Sequence, residues 1–369
     1  MDRLWESFAA LTAIDSPSLA EREFCDALKA RLEALGAEAY EDSAAAQIGG
    51  SSGNLYGFLP GDLPLPPILL SAHMDTVEPG HGKRAILRKD GTVTSNGDTV
   101  LGADDVAGIA VILEALTRLR ESGESHRPVE LLFPAAEERY GLGSSFAEYG
   151  RIRAKQAYTL DLGGAIGEAA NAAPTILSFE IAVRGKAAHA GFAPGDGIHA
   201  IAAAASAIAC VPVGEPEPGV TVNVGKISGG EANNIVPALC EITGEIRSLS
   251  HDAVLAHWEN VRHIFTEEAE AAGAAVTAKH RCEITAYETP LDSPVVKRFE
   301  RACGKLGIPS NIHATLGGSD QNNFARHGIQ GLVVACSMHD VHSTREFCRP
   351  DELEQCVKLV LALITEASP

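Results

Sequence analysis

Basic residues are scarce in this 369-residue chain: 30 lysines and arginines stand against 49 aspartates and glutamates, a formal charge of −19. A surface this negative repels phosphate backbones and anionic lipid headgroups, so neither nucleic acid nor membrane is expected as a partner. Aromatics are few as well, 5% of residues, although 45% are hydrophobic. That balance fits an ordinary alanine-rich globular enzyme, not a disordered or fibrous chain. No apolar run is long enough for a bilayer, since the best stretch, Ala200 to Val213, is short and carries Ser206. No secretory leader is expected, because no apolar segment follows Met1-Asp2-Arg3. The eight cysteines contain no C-x-x-C pair, and a chain of this length needs no disulfide framework. Reduced thiols in a cytoplasmic protein are expected.

What is present begins with length enough for two domains, each with its own core. The chain is organised around Ser71-Ala72-His73-Met74-Asp75-Thr76-Val77-Glu78-Pro79-Gly80, entered from the apolar strand Ile68–Ala72. Side chains alternate along a strand, so His73 and Asp75 point the same way at its carboxyl end, where α/β sheets place their sites. A histidine that binds metal through one ring nitrogen wants a carboxylate on the other. His-x-Asp can supply that pair, and the distant partners it needs are there to be found.

Residues 1–36 read as two helices, with a capping-box pattern at Ser18-Leu19-Ala20-Glu21 and a stop at Gly36. Gly53–Phe58 alternates like a strand. Leu101-Gly102-Ala103-Asp104-Asp105 precedes a helix over Ile109–Leu119; adjacent carboxylates there also suit plain N-cap chemistry. The strand Val129–Phe133 runs into Glu137-Glu138, and Gln156–Leu160 into Asp161. Four strand ends or βα turns thus carry His, Asp or Glu, more than surface decoration would concentrate there. From Thr175 to Tyr287 the order β-α-β-β-α-β describes a split βαβ domain inserted into the first. The first pattern resumes with a helix over Ser293–Leu306, the strand Gly331–Ala335 and a closing helix from Asp351. Just before that helix, His339-Asp340-Val341-His342-Ser343-Thr344-Arg345-Glu346 offers a second histidine.

The ordered set Gly53-Asn54-Leu55, His73-Met74-Asp75, Leu101–Asp105, Glu137-Glu138, Leu160-Asp161, Gly185–Gly191, Asn234–Pro237, Gly317-Gly318-Ser319-Asp320 and His342-Ser343-Thr344 resembles the M20 family of zinc peptidases. It is most similar to the peptidase T-like, tripeptidase-like branch, over nearly the whole chain. The resemblance implies a mixed-sheet α/β catalytic domain in two segments, 1–174 and 288–369, around a ferredoxin-like lid and dimerisation domain at 175–287. It implies two Zn²⁺ per subunit, with Co²⁺ or Mn²⁺ as substitutes, held by His73, Asp104, Glu138, Asp161 and His342. Asp104 would bridge, His73 and Asp161 would complete one ion, and Glu138 and His342 the other. Asp75 would support His73, and Glu137 would be the general base. His189 would contact the oxyanion or substrate, often in the neighbouring subunit's site, and Asn234 and Arg247 would bind substrate, Arg247 through a carboxylate.

The chemistry of the residues agrees: mixed imidazole and carboxylate donors suit zinc, and several acidic groups offset two dications. The implied reaction is removal of the N-terminal residue from short peptides by a homodimer, with metal-activated water and no covalent intermediate. An N-acyl amino acid deacylase, a carboxypeptidase or a silent peptide- or metal-binding member remain open. His339 rivals His342, but Ser-Thr-x-Glu matches the branch only after His342, and Glu346 is a candidate for supporting the site. Three departures bear on substrate choice: Val106 where the branch has lysine, one additional residue before Gly141, and Gln321 where alanine is commoner.

Overall fold

The computed structural model describes residues 2–367; positions 1, 368 and 369, the extremes of the two expected catalytic segments, lie outside the described residues. The chain divides into two compact units, residues 1–172 with 288–369, and residues 173–287.

The first unit is α/β around a mixed sheet. Its strands run in the order Glu38–Glu41, Leu55–Leu59, Val129–Phe133, Ile68–Ser71, Gln156–Gly163, Gln330–Met338 and Glu168–Ala173, with Asn311–Ala314 parallel to the last. Three consecutive ladders in its middle are parallel: Ile68 pairs with Val129, Leu69 with Ala157, and Leu332 with Tyr158. Central parallel strands are covered on both faces, which is why Ile68–Leu70 is an unbroken apolar run and Val129–Phe133 is apolar but for Glu130, whose carboxylate accepts from Arg153 Nε at 2.8 Å. The helix Ala103–Ser122 supplies the largest share of the cover, with Ile109, Ile112 and Leu116 buried in the main core. Because these strands are parallel, their carboxyl ends open on one edge; His73, Glu137 and His342 follow such ends, and Asp161 lies near the carboxyl end of Gln156–Gly163. A small antiparallel sheet, Ile86–Leu87, Val93–Thr94 and Phe347–Cys348, ties the segment after His342 to the loop before Asp104.

The expected capping box is corrected. The helix Arg22–Ala34 starts after Glu21, and no side-chain cap bond forms there. Ser18 Oγ instead donates to Asp75 Oδ2 at 2.6 Å, and Glu21 Oε1 accepts from Leu19 N at 2.7 Å and Ala136 N at 3.0 Å. Both side chains serve the site's loops, and the helix entry goes without them.

The second unit is a five-stranded antiparallel sheet in the order Gly214–Glu217, Val220–Gly229, Leu239–Ser248, Thr175–Arg184 and Ala275–Ile284. Helices Ala200–Cys210 and His251–Ala271 cover one face, enclosing a separate core with Phe179, Trp258 and Phe265. Four of the strands keep the split βαβ order, and Gly214–Glu217 adds an edge that the sequence pattern did not disclose.

Candidate metal centre

Beyond the carboxyl end of Ile68–Ser71, His73 is 1% exposed. Its Nδ1 lies 2.9 Å from the main-chain oxygen of Asp75 and 3.5 Å from that residue's Oδ1. A carbonyl only accepts, so Nδ1 carries a proton and donates it, and Nε2 is turned to the centre. There it meets Asp104 Oδ1 at 3.0 Å and Asp161 Oδ1 at 3.8 Å. On the opposite side of Asp104, His342 Nε2 lies 3.2 Å from Oδ2, and 3.1 Å from each carboxylate oxygen of Glu138. One carboxylate therefore presents each of its oxygens to a different imidazole and acid set.

Each adjacent acid pair divides its work. Asp104 and Asp105 open the helix Ala103–Ser122 with non-helical backbone angles. Asp105 turns inward, accepting from Gly108 N at 3.1 Å and His73 N at 3.2 Å, while Asp104 faces the two histidines. Glu137 and Glu138 sit on a single 3₁₀ turn after Val129–Phe133. Asp75 holds that turn, Oδ1 accepting from Glu137 N at 2.8 Å and Oδ2 from Glu138 N at 3.2 Å. Asp75 thus anchors the glutamate pair by its carboxylate and His73 mainly by its main chain. The carboxylate of Glu137 lies within 4.8 Å of the donor atoms of His73 and Asp161. No hydrogen bond to it is present among the described residues, so it is free to take a proton.

The charges do not balance without a cation. Burial, and then neighbouring Asp161, push Glu137 well above the usual carboxylate range. Burial lifts Asp161 too, with Asp104 adding to the rise against the pull of His73. No lysine or arginine forms an ion pair with Asp104, Glu137, Glu138 or Asp161 among the described residues. Two donors on a tetrahedral zinc at ~2.0–2.2 Å lie about 3.3–3.6 Å apart. The imidazole–carboxylate separations of 3.0 to 3.8 Å span that value, so the donor set fits one cation beside each histidine.

Several contributors lay outside the sequence reading or were only touched by it. Glu346, 1% exposed, accepts from Gly102 N at 2.7 Å and Asp104 N at 2.9 Å, joining the His342 turn to the Asp104 turn. Asp320, quoted above only within a glycine-rich motif, is buried with Oδ1 unpartnered, and burial pushes it up to about 7. Lys83 is buried against Gly102, donating to Thr76 Oγ1 at 3.2 Å; nothing in its local sequence signals this. His339 pairs with Glu352 at 2.7 Å and stacks on Phe347, away from the acid cluster.

In the second unit, Ala190 N donates to Asn234 O at 2.9 Å, so His189 and Asn234 share one exposed turn. That turn lies at the end of the sheet where Leu239 pairs with Arg184. Arg247 sits eight steps further along Leu239–Ser248, about 27 Å away at ~3.4 Å per residue. Its guanidinium engages Glu245 at 2.8 and 3.2 Å. These three residues do not form one group within a single copy.

Comparison with known proteins gives the lineage. Residues 69–366 match Peptidase family M20/M25/M40. The aminopeptidase PepT of Bacillus cereus ATCC 10987 superposes with a TM-score of 0.91 at 36% identity, covering 100% of this chain and 99% of that one. A tripeptidase from Staphylococcus aureus subsp. aureus Mu50 gives a TM-score of 0.96 at 29% identity, covering 99% and 98%. The protein YqjE of Bacillus subtilis strain 168 is 34% identical over 99% of this chain and 98% of its own. Among the described residues no helix is long and apolar enough to cross a membrane. By sequence, fold and acid–imidazole cluster alike, the chain belongs to Peptidase family M20/M25/M40 and is a peptide hydrolase.

Proposed function

We propose that this hydrolase is a dinuclear-zinc aminopeptidase that removes the N-terminal residue from tripeptides. The observation that carries the reading is Asp104, whose two oxygens face separate donor sets, His73 with Asp161 and His342 with Glu138. Its similarity along the full chain to an aminopeptidase and a tripeptidase supports the substrate class.

Held by those five residues, two zinc ions would supply Lewis acidity, lowering a water's pKa and offsetting charge on the carbonyl oxygen. The protein's own groups do the rest. The Glu137 carboxylate, buried and without a hydrogen-bond partner among the described residues, takes the water's proton and returns it to the leaving amine. Asp75 fixes the backbone of that turn so that Glu137 and Glu138 diverge. His189 accepts Gly191 N and Phe192 N on Nδ1, both at 3.1 Å. The neutral ring therefore carries its proton on Nε2, a donor for the developing oxyanion.

The second unit's dimensions support a homodimer. His189 and Arg247 lie near opposite ends of one sheet, farther apart than a tripeptide extends, at ~3.3–3.6 Å per residue. If both act on one substrate, a second copy supplies one of them. Eight free thiols favour a reducing, cytoplasmic setting.

The test is a steady-state comparison of Leu-Gly-Gly with N-acetyl-Leu-Gly-Gly, beside metal analysis of the purified enzyme. Release of leucine from the free amine and about two zinc ions per chain are expected. Preference for the acetylated compound would replace the aminopeptidase reading with deacylation.

A further inference from the structure

Phe192 is 90% exposed, whereas the next most exposed large hydrophobic residues reach 55%. A phenylalanine in open water is unremarkable when it is scattered and free. This one is neither. Its ring stacks on the His189 imidazole, centroids 4.2 Å apart and planes at 26°. Its backbone N–H donates to His189 Nδ1 at 3.1 Å, and the next residue's N–H to His189 O at 3.0 Å. The turn is itself fastened by Ala190 N to Asn234 O and Val236 N to Ala188 O, both 2.9 Å. Histidine and phenylalanine thus travel as one plate, with a polar edge at Nε2 and an apolar face beside it.

We propose that Phe192 is a specificity-determining residue, forming an apolar wall for the substrate side chain next to the scissile bond. The inference rests on the reading that His189 donates to the substrate's carbonyl oxygen. Given that contact, the phenyl ring travels with the imidazole that meets the reacting carbonyl. A bulky apolar residue flanking that carbonyl would cover the exposed ring, while glycine would leave it wet. The favoured substrates are therefore tripeptides with leucine-like side chains at the cleaved bond.

The experiment compares kcat/KM for Leu-Leu-Gly and Gly-Gly-Gly in the parent enzyme, Phe192→Ala and Phe192→Tyr, with His189→Gln alongside and sedimentation of each variant. Because Phe192 is solvent-exposed, its removal should leave folding and assembly unchanged. Phe192→Ala is expected to lower kcat/KM about tenfold for Leu-Leu-Gly and less than twofold for Gly-Gly-Gly, the scale of an apolar pocket contact. Phe192→Tyr should keep the preference, and His189→Gln should depress both substrates. Equal loss on both substrates, a shift to monomer, or no change would each overturn the role of Phe192. A parent without tripeptidase activity, or a silent His189→Gln, would instead overturn the functional reading beneath it, and this inference with it.

Discussion

Glu346 should govern metal affinity although it touches no expected ligand's donor atom. Its carboxylate accepts from Gly102 N at 2.7 Å and Asp104 N at 2.9 Å, and it lies four residues beyond His342. It therefore fixes the backbone that aims Asp104 and anchors the turn that delivers His342. In Glu346→Gln one amide oxygen still accepts, but the NH₂ group meets a main-chain N–H, donor against donor. One buried, charge-assisted bond is lost, worth ~1.5–3 kcal/mol. Part of that appears as lowered stability and part as poorer preorganisation of the two donor sets. Losing a partner that orients ligands typically weakens metal binding by about 10–100-fold, or ~1.4–2.8 kcal/mol. Zinc affinity is read by competition with a chromogenic chelator, and the melting temperature of the metal-free protein gives the stability share. The expected result is weaker zinc binding together with a lower melting temperature. Parent-like affinity in a stably folded Glu346→Gln protein would refute the idea that this carboxylate preorganises the centre.

Three further outcomes follow from the same geometry. Glu137→Gln should retain metal by elemental analysis while kcat falls about 10²–10⁴-fold, because a proton carrier is removed and the ligand set is not. Removing metal with dipicolinate should abolish hydrolysis and lower the melting temperature, and zinc, cobalt or manganese should restore both, because an ion that binds only the fold stabilises it. Away from the centre, Glu114 accepts from Arg3 at 2.9 Å and Arg118 at 2.7 Å. Burial opposes its ionisation, but those two guanidinium groups prevail and hold it below the usual carboxylate range. A depressed carboxylate contributes stability above its unfolded pKa of ~4.3 and loses it as pH falls through the lower folded value. With Arg3 half exposed, Glu114→Gln should cost about 1 kcal/mol in urea unfolding at pH 7, and the gap to the parent should close below about pH 4.

The readable parts of the chain are those whose partners impose a local pattern. Ile68–Leu70 and Val129–Phe133 are covered on both faces, so their burial is written as residues that are all apolar except Glu130. Glu168–Ala173 carries no such signal. Alanine and asparagine are poor strand formers, and that segment is a strand because Val333 and Val334 pair with it. Ser18 and Glu21 show the opposite error. Their spacing is that of a helix cap, but Asp75 and the Ala136 amide compete for the same side chains and win.

The acid and imidazole residues were visible one by one because parallel strands send their carboxyl ends to one edge, so chemistry collects after apolar runs. Their division of labour was less visible. Asp104 and Asp105 are adjacent in sequence, and only the helix entry determines which faces His73 and His342 and which caps Gly108. Glu346 reaches Gly102 across 244 positions; the Ser-Thr-x-Glu pattern marks it as a candidate for supporting the site, but nothing local says which backbone it holds. A carboxylate at a strand end announces that a site exists. The contact that tunes the site comes from the far end of the chain, where only folding brings it into register.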